Sequence, residues 1–174
     1  MHIFLTGDIQ VGKTTIIRRF LSQSGLSADG FMTYWEFESC DVQNLYLSSY
    51  SADSRPAERH LIAHDSGQQL VLPENMTSVF DAHGSDILAN SGKRDVIVMD
   101  ELGFLESKAA AFQQAVMRHI SGNVPVLGVI KPRQTEFLDG IRAHPNVTVR
   151  EVTAENRDAI LVWLLEQGLN KKGK

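Results

Sequence analysis

Two stretches of the chain carry side chains whose order implies phosphate chemistry. The first, Gly7-Asp8-Ile9-Gln10-Val11-Gly12-Lys13-Thr14, fits G-x-x-x-x-G-K-[ST] and is followed by Thr15. A loop of this kind turns its backbone N–H groups inward around a phosphate, and the N-terminus of the next helix adds partial positive charge. Gly7 and Gly12 permit the tight backbone path, Lys13 reaches the β- and γ-phosphates, and Thr14 offers its hydroxyl to Mg²⁺. Asp8 is a carboxylate inside an anion-binding loop, so its side chain is expected to face solvent.

The second stretch is Val96-Ile97-Val98-Met99-Asp100-Glu101, an apolar run ending in two acids. Asp100, at the carboxyl end of such a strand, falls where open parallel sheets bind ligands, and is expected to hold Mg²⁺ directly or through water. Glu101 then lies near the γ-phosphate, where a carboxylate orients and partly deprotonates an attacking water. That role separates a hydrolase, which positions water, from a small-molecule kinase, which excludes it. Lys131 and Arg133 follow an apolar run ending at Ile130 and reach the same edge. Arg133 is the candidate for stabilising charge on the γ-phosphate. Asn156 and Arg157 open the last helix, placed to hydrogen-bond or stack on a base; a capping role for Thr153 is the plainer alternative.

The elements that must position these groups follow from periodicity. Strands are expected at Ile3 to Thr6, Val96 to Met99, Val124 to Ile130 and Val147 to Val152. Helices are expected over Lys13–Leu21, Ser78–Asn90, Ser107–Ile120, Thr135–Ile141 and Ala154–Leu169. Continuous apolar strands separated by helices imply a parallel sheet covered on both faces. Phe31 to Tyr50 breaks that rhythm: aromatic and β-favouring residues flank a polar middle at Ser39 to Asn44, which predicts two strands and a turn. Ser51 to Asn75 reads as polar loop with short strand fragments, and Asn170 to Lys174 as a solvated tail.

Composition narrows the class. The chain has 174 residues, 43% hydrophobic, with 17 Lys+Arg against 21 Asp+Glu for a net charge of −4. This is globular composition, and a single domain over 1–174 is expected. A dedicated nucleic-acid surface is not, because phosphate contacts need clustered Lys and Arg. Cys40 is the one cysteine, which excludes an intrachain disulfide and a cysteine metal cage. Apolar runs too short for a bilayer and an N-terminus without a basic flank before a long apolar stretch predict a cytoplasmic protein.

On these residues the chain resembles the THEP1-type nucleoside-triphosphatase family, which includes cancer-related nucleoside-triphosphatase homologues. Beside the loop, the likeness rests on Gly30-Phe31-Met32-Thr33, on Asp100-Glu101-Leu102-Gly103-Phe104-Leu105-Glu106, on Phe112 to Val116, and on Val152-Thr153-Ala154-Glu155-Asn156-Arg157-Asp158. The resemblance implies an α/β, three-layer P-loop NTPase fold with a mainly parallel sheet and an inserted β-hairpin near residues 31–50. It implies slow, Mg²⁺-dependent hydrolysis of ATP, GTP and other nucleoside triphosphates with broad base selectivity. Nucleotide-binding stretches carry over as Gly7 to Thr14 and Asp100, Glu101, Leu102, Gly103 and Phe104. Two departures stand out: Gln10 occupies a position where the family often has a third glycine, and Trp35-Glu36-Phe37-Glu38 replaces basic residues.

A kinase needs an arginine-rich lid, for which Arg55 and Arg59 are the only lid-like pair. A nucleotide-dependent switch that binds a protein partner is the other alternative, with the aromatic hairpin as its surface; oligomerisation is also open. The guanine signature N-K-x-D is absent. The hairpin aromatics read chiefly as sheet packing, and Trp163 joins Ile160, Leu161 and Leu164 on a buried helix face. His60 and His64, four apart, would present two metal ligands on a helix but lack an evident third. Glu106 reads as support for the acidic loop or as a helix N-terminal acid.

Overall fold

The computed structural model describes residues 1–50 and 58–169. In chain order the elements begin with β1 (His2–Thr6), α1 (Lys13–Ser24), β2 (Ala28–Phe37), β3 (Gln43–Ser49), β4 (Arg59–Asp65) and β5 (Leu70–Val71). There follow α2 (Met76–Val79), a π turn (Phe80–Gly84), α3 (Ser85–Asn90), β6 (Val96–Leu102) and a 3₁₀ turn (Leu105–Lys108). The chain continues with α4 (Ala110–Ile120), β7 (Val126–Ile130), α5 (Glu136–Ala143), β8 (Val147–Glu151) and α6 (Arg157–Glu166).

One sheet of eight strands runs β5-β4-β3-β2-β6-β7-β1-β8. The β2-β6-β7-β1-β8 part is parallel, and β3, β4 and β5 extend it antiparallel. Side-chain alternation along each strand feeds two separate cores. Ile3, Leu5, Val96, Val98 and Leu127 meet Ile17, Phe20 and Leu164 from α1 and α6 on one face. On the other, Phe4, Phe31, Ile97 and Met99 meet Phe80, Leu88, Phe112 and Val116. The three-layer α/β architecture is therefore the expected one.

The hairpin is present, with β2 and β3 in register from Phe31↔Ser49 to Phe37↔Gln43. Its first strand is also a member of the parallel sheet, since β2 pairs with β6 from Ala28↔Val96 to Met32↔Asp100. The loop reading of Ser51 to Asn75 needs correction at its centre, because Arg59–Asp65 forms a full strand against β3. Among the described residues of this polar segment only Ile62 and Ala63 are buried, through pairing and packing against distant residues, so the local pattern is weak. Arg55 and the tail Asn170 to Lys174 lie outside the described residues. Among the described residues, no helix is long and apolar enough to cross a membrane.

Candidate active site

The loop after β1 folds as its sequence demands. Gly7 has φ 128, and a Cβ there would lie 2.3 Å from the Val152 carbonyl oxygen, so no larger residue fits. Gln10, at φ 65, is the one non-glycine with positive φ among the described residues, at the position where the resembled family often has a glycine. Gly12 caps α1 in a left-handed conformation, with no side chain accepting from the first turn and no acid in it. The helix therefore leaves its first N–H groups available to an anion.

Lys13 reaches back over the loop, its Nζ donating to the carbonyls of Gly7 at 2.9 Å and Asp8 at 2.6 Å. Burial lowers its pKa, against the opposing pull of Glu101 and Asp100. The Asp8 side chain is exposed, as anticipated. Thr15, Ile9 and Gln10 join Gly7, Lys13 and Thr14 around a cavity of about 670 Å³. Val11 instead packs against the core beneath.

The acidic pair sits where the β6–β7 register shifts between Met99 and Leu102. Such an irregularity re-aims side chains at a strand end. Asp100 is buried and pairs with the Thr14 hydroxyl; burial pushes its carboxyl up to about 6, the Thr14 hydrogen bond only partly opposing. The Thr14 hydroxyl and the Asp100 carboxylate are hard oxygen donors that suit a cation such as Mg²⁺, so the residues present fit that ion. Glu101 faces the cavity, with Lys131 Nζ 2.8 Å from its Oε1. Its backbone N–H donates to Thr33 Oγ1 at 3.4 Å, which ties β2 to the acidic turn.

Beyond this pair the turn divides. Leu102 is fully buried in the core, so it supports the site from below, and its carbonyl accepts from the Lys131 N–H at 2.9 Å. Gly103 donates its N–H to Glu106 Oε1. Phe104 lines the cavity, and the Arg133 guanidinium lies 4.5 Å above its ring. Glu106 is buried and pushed up to about 7 by desolvation. The sequence left its role open; its spacing in the acidic run was visible, but its burial depended on the packing of the 3₁₀ turn.

Asn156 and Arg157 lie behind the loop rather than on the cavity. The Asn156 carboxamide accepts from the Thr153 N–H at 2.8 Å and donates to the Glu151 carbonyl at 3.0 Å. Arg157 packs beside Gly12, where its Cδ would be 3.3 Å from an added Cβ. Thr153 does not cap α6; Asn156 holds the N-cap position. Arg59 is engaged on the antiparallel strands, paired with Glu36 and stacked over Tyr46. His60 and His64 lie on β4, not on a helix, and the Nδ1 of His64 is bonded to Asn44 Oδ1 at 2.7 Å.

Comparison with known proteins shows the family and the fold. The family described as NTPase matches residues 2–165. The cancer-related nucleoside-triphosphatase homolog of Mus musculus is 31% identical over 188 residues, covering 92% of each chain. The crystal structure of THEP1 from the hyperthermophile Aquifex aeolicus superposes with a TM-score of 0.74 at 25% identity, over 96% of this chain and 98% of that one. The solution structure of a human cancer-related nucleoside triphosphatase gives 0.72 at 27% identity, over 99% of both. Matched by the family over residues 2–165 and alike in fold to its relatives along nearly the whole chain, this protein belongs to the nucleoside-triphosphatase family and is a hydrolase.

Proposed function

We propose that the chain hydrolyses the γ-phosphate of ATP, GTP and other nucleoside triphosphates, slowly, with broad base selectivity and with Mg²⁺, in the cytoplasm. The observation that carries this reading is the convergence of Lys13, Thr14 and Glu101 on one cavity, with Asp100 buried behind Thr14. Lys13 and the loop amides bind the triphosphate, which replaces the carbonyl partners that Lys13 has in their absence. Thr14 and Asp100 would hold Mg²⁺, which when bound neutralises charge on the β- and γ-phosphates. Glu101 orients water for in-line attack and accepts its proton. Arg133, leaving Phe104, contacts the γ-phosphate as charge develops.

Two contacts support the finer points. Asn156 has both amide atoms bonded to Glu151 and Thr153 just ahead of it, so a base at this end meets little that reads its edge, consistent with broad selectivity. Arg133 stacks on Phe104 and must leave that ring to reach the γ-phosphate, consistent with slow turnover.

The test is phosphate release from purified protein with Mg²⁺ and each of ATP, GTP, CTP and UTP, beside Glu101→Gln and Lys13→Ala. Several triphosphates should be turned over without an acceptor. Glu101→Gln should keep nucleotide binding and lose about a hundredfold or more in rate, the range for a general base. Lys13→Ala should lose binding. Wild-type turnover by Glu101→Gln, or transfer only to an added acceptor, would overturn the reading.

A further inference from the structure

A second cleft, of about 340 Å³, opens at the other end of the sheet, where β2 begins with Ala28, Asp29 and Gly30. Its wall brings Glu58 and His60 together with His83, which lies 23 positions beyond His60. The rings of His60, on β4, and His83, in the π turn, stack with centroids 3.5 Å apart and planes at 13°. Glu58 Oε1 lies 3.4 Å from His60 Nε2. Each of the three offers a ligating atom, and these atoms lie within 4.8 Å of one another. Asp86, three residues after His83, borders the same cleft.

Two irregularities produce this cluster. Between β3 and β4 the register shifts from Leu45↔Ala63 to Tyr46↔Leu61, leaving Ile62 as the extra residue. An inserted residue reverses side-chain phase along a strand, which separates His60 from His64. In the helix, Gly84 sits so close to Phe112 that a Cβ would lie 2.6 Å from that ring. This anchors the buried side of the π turn and presents His83 toward β4. Single π turns recur at functional sites.

We propose that Glu58, His60 and His83 form a binding site for one divalent transition-metal ion of the zinc class. Two imidazoles and a carboxylate are a zinc-type donor set, completed by water or Asp86. Four-coordinate bonds of about 2.0–2.2 Å place donor atoms roughly 3.4 Å apart, and each imidazole binds in its ring plane, so the two rings must leave their parallel stack and the donors close in by up to about 1.4 Å. Glu58 and His83 are exposed and turn freely enough to do so. The ion would join β4 to the π turn, away from the phosphate loop, and this inference stands apart from the hydrolase reading.

The experiment is titration of the full chain with Co²⁺ in excess Mg²⁺, followed by the visible bands of four-coordinate Co²⁺. Octahedral Co²⁺ among oxygen ligands gives only weak bands. One equivalent should give the strong spectrum, and Zn²⁺ should displace it and raise Tm. Glu58→Gln and His83→Ala should each weaken binding by at least about tenfold, a loss no smaller than that from supporting residues of metal sites. His64→Ala should bind as wild type. No four-coordinate spectrum in wild type, or unchanged affinity in both Glu58→Gln and His83→Ala, would overturn the site. Both altered side chains are exposed, and a circular dichroism melt without metal checks that each variant folds.

Discussion

Lys131 Nζ lies 2.8 Å from Glu101 Oε1, joining the ends of the adjacent parallel strands β7 and β6. Both side chains are about a third exposed (31% and 30%). Solvent screening at that exposure leaves such a pair worth no more than about 1 kcal/mol. Its importance is positional, because it fixes the carboxylate proposed to orient water.

Replacing Lys131 with Met should therefore change stability little and catalysis more. The expected outcome is an unfolding free energy within about 1 kcal/mol of wild type. With it should come a fall in kcat of about tenfold or more, with KM little changed. Urea unfolding and steady-state phosphate release check the two halves. Unchanged kcat would remove Lys131 from any positioning role.

Gln10 holds φ 65 inside the phosphate loop, a conformation that costs a side-chain-bearing residue about 1–2 kcal/mol. Glycine removes that strain but loses about 0.5–1 kcal/mol through greater freedom of the unfolded chain. Gln10→Gly should therefore raise Tm modestly and keep nucleotide binding, whereas Gln10→Val should lower Tm. Thermal unfolding without nucleotide decides the order. A lower Tm for Gln10→Gly than for Gln10→Val would show that the Gln10 conformation is not strained.

Glu106 makes stability depend on pH in a defined direction. Its carboxyl is raised from 4.5 to about 7 by burial. Between those values the folded chain binds more protons than the unfolded one, so stability falls as pH rises from about 4.5 to 7. Asp100, raised from 3.8 to about 6, acts in the same sense over its own window. His2, lowered from 6.5 to about 4, acts oppositely: stability falls as pH drops through that range.

The comparison of wild type with Glu106→Gln cancels the other two groups. Gln keeps an oxygen for the Gly103 N–H but has no charge to bury. Relative to wild type, the variant should gain on the order of 1 to 3 kcal/mol between pH 5 and 7.5, at 1.36 kcal/mol per pKa unit. Urea unfolding at both pH values measures it. Parallel pH dependences would mean that Glu106 is not held protonated.

Much of the frame was legible because it is written in short-range order. The strand–loop–helix from His2 to Ser24 needs only a β-type apolar run, two glycines and helical residues, all within one local stretch. The same holds for Val96 to Glu101, whose apolar run and terminal acids announce a strand end. Runs matching the nucleoside-triphosphatase family fall in order along the chain, so fold and class were readable before any contact was known.

Tertiary structure decided what lies between distant residues. The polar stretch around Arg59–Asp65 becomes a strand only when β3 supplies its backbone partners and a helical layer covers Ile62. Leu102 turns into the core and Asn156 bonds its own loop, although both stand in runs that read as binding segments. His60 meets His83 across 23 positions, not His64 across four. A local pattern specifies backbone conformation through propensity and side-chain period. Burial, pKa and charge partners depend on the distances that packing brings about, and no spacing in a one-dimensional sequence contains them.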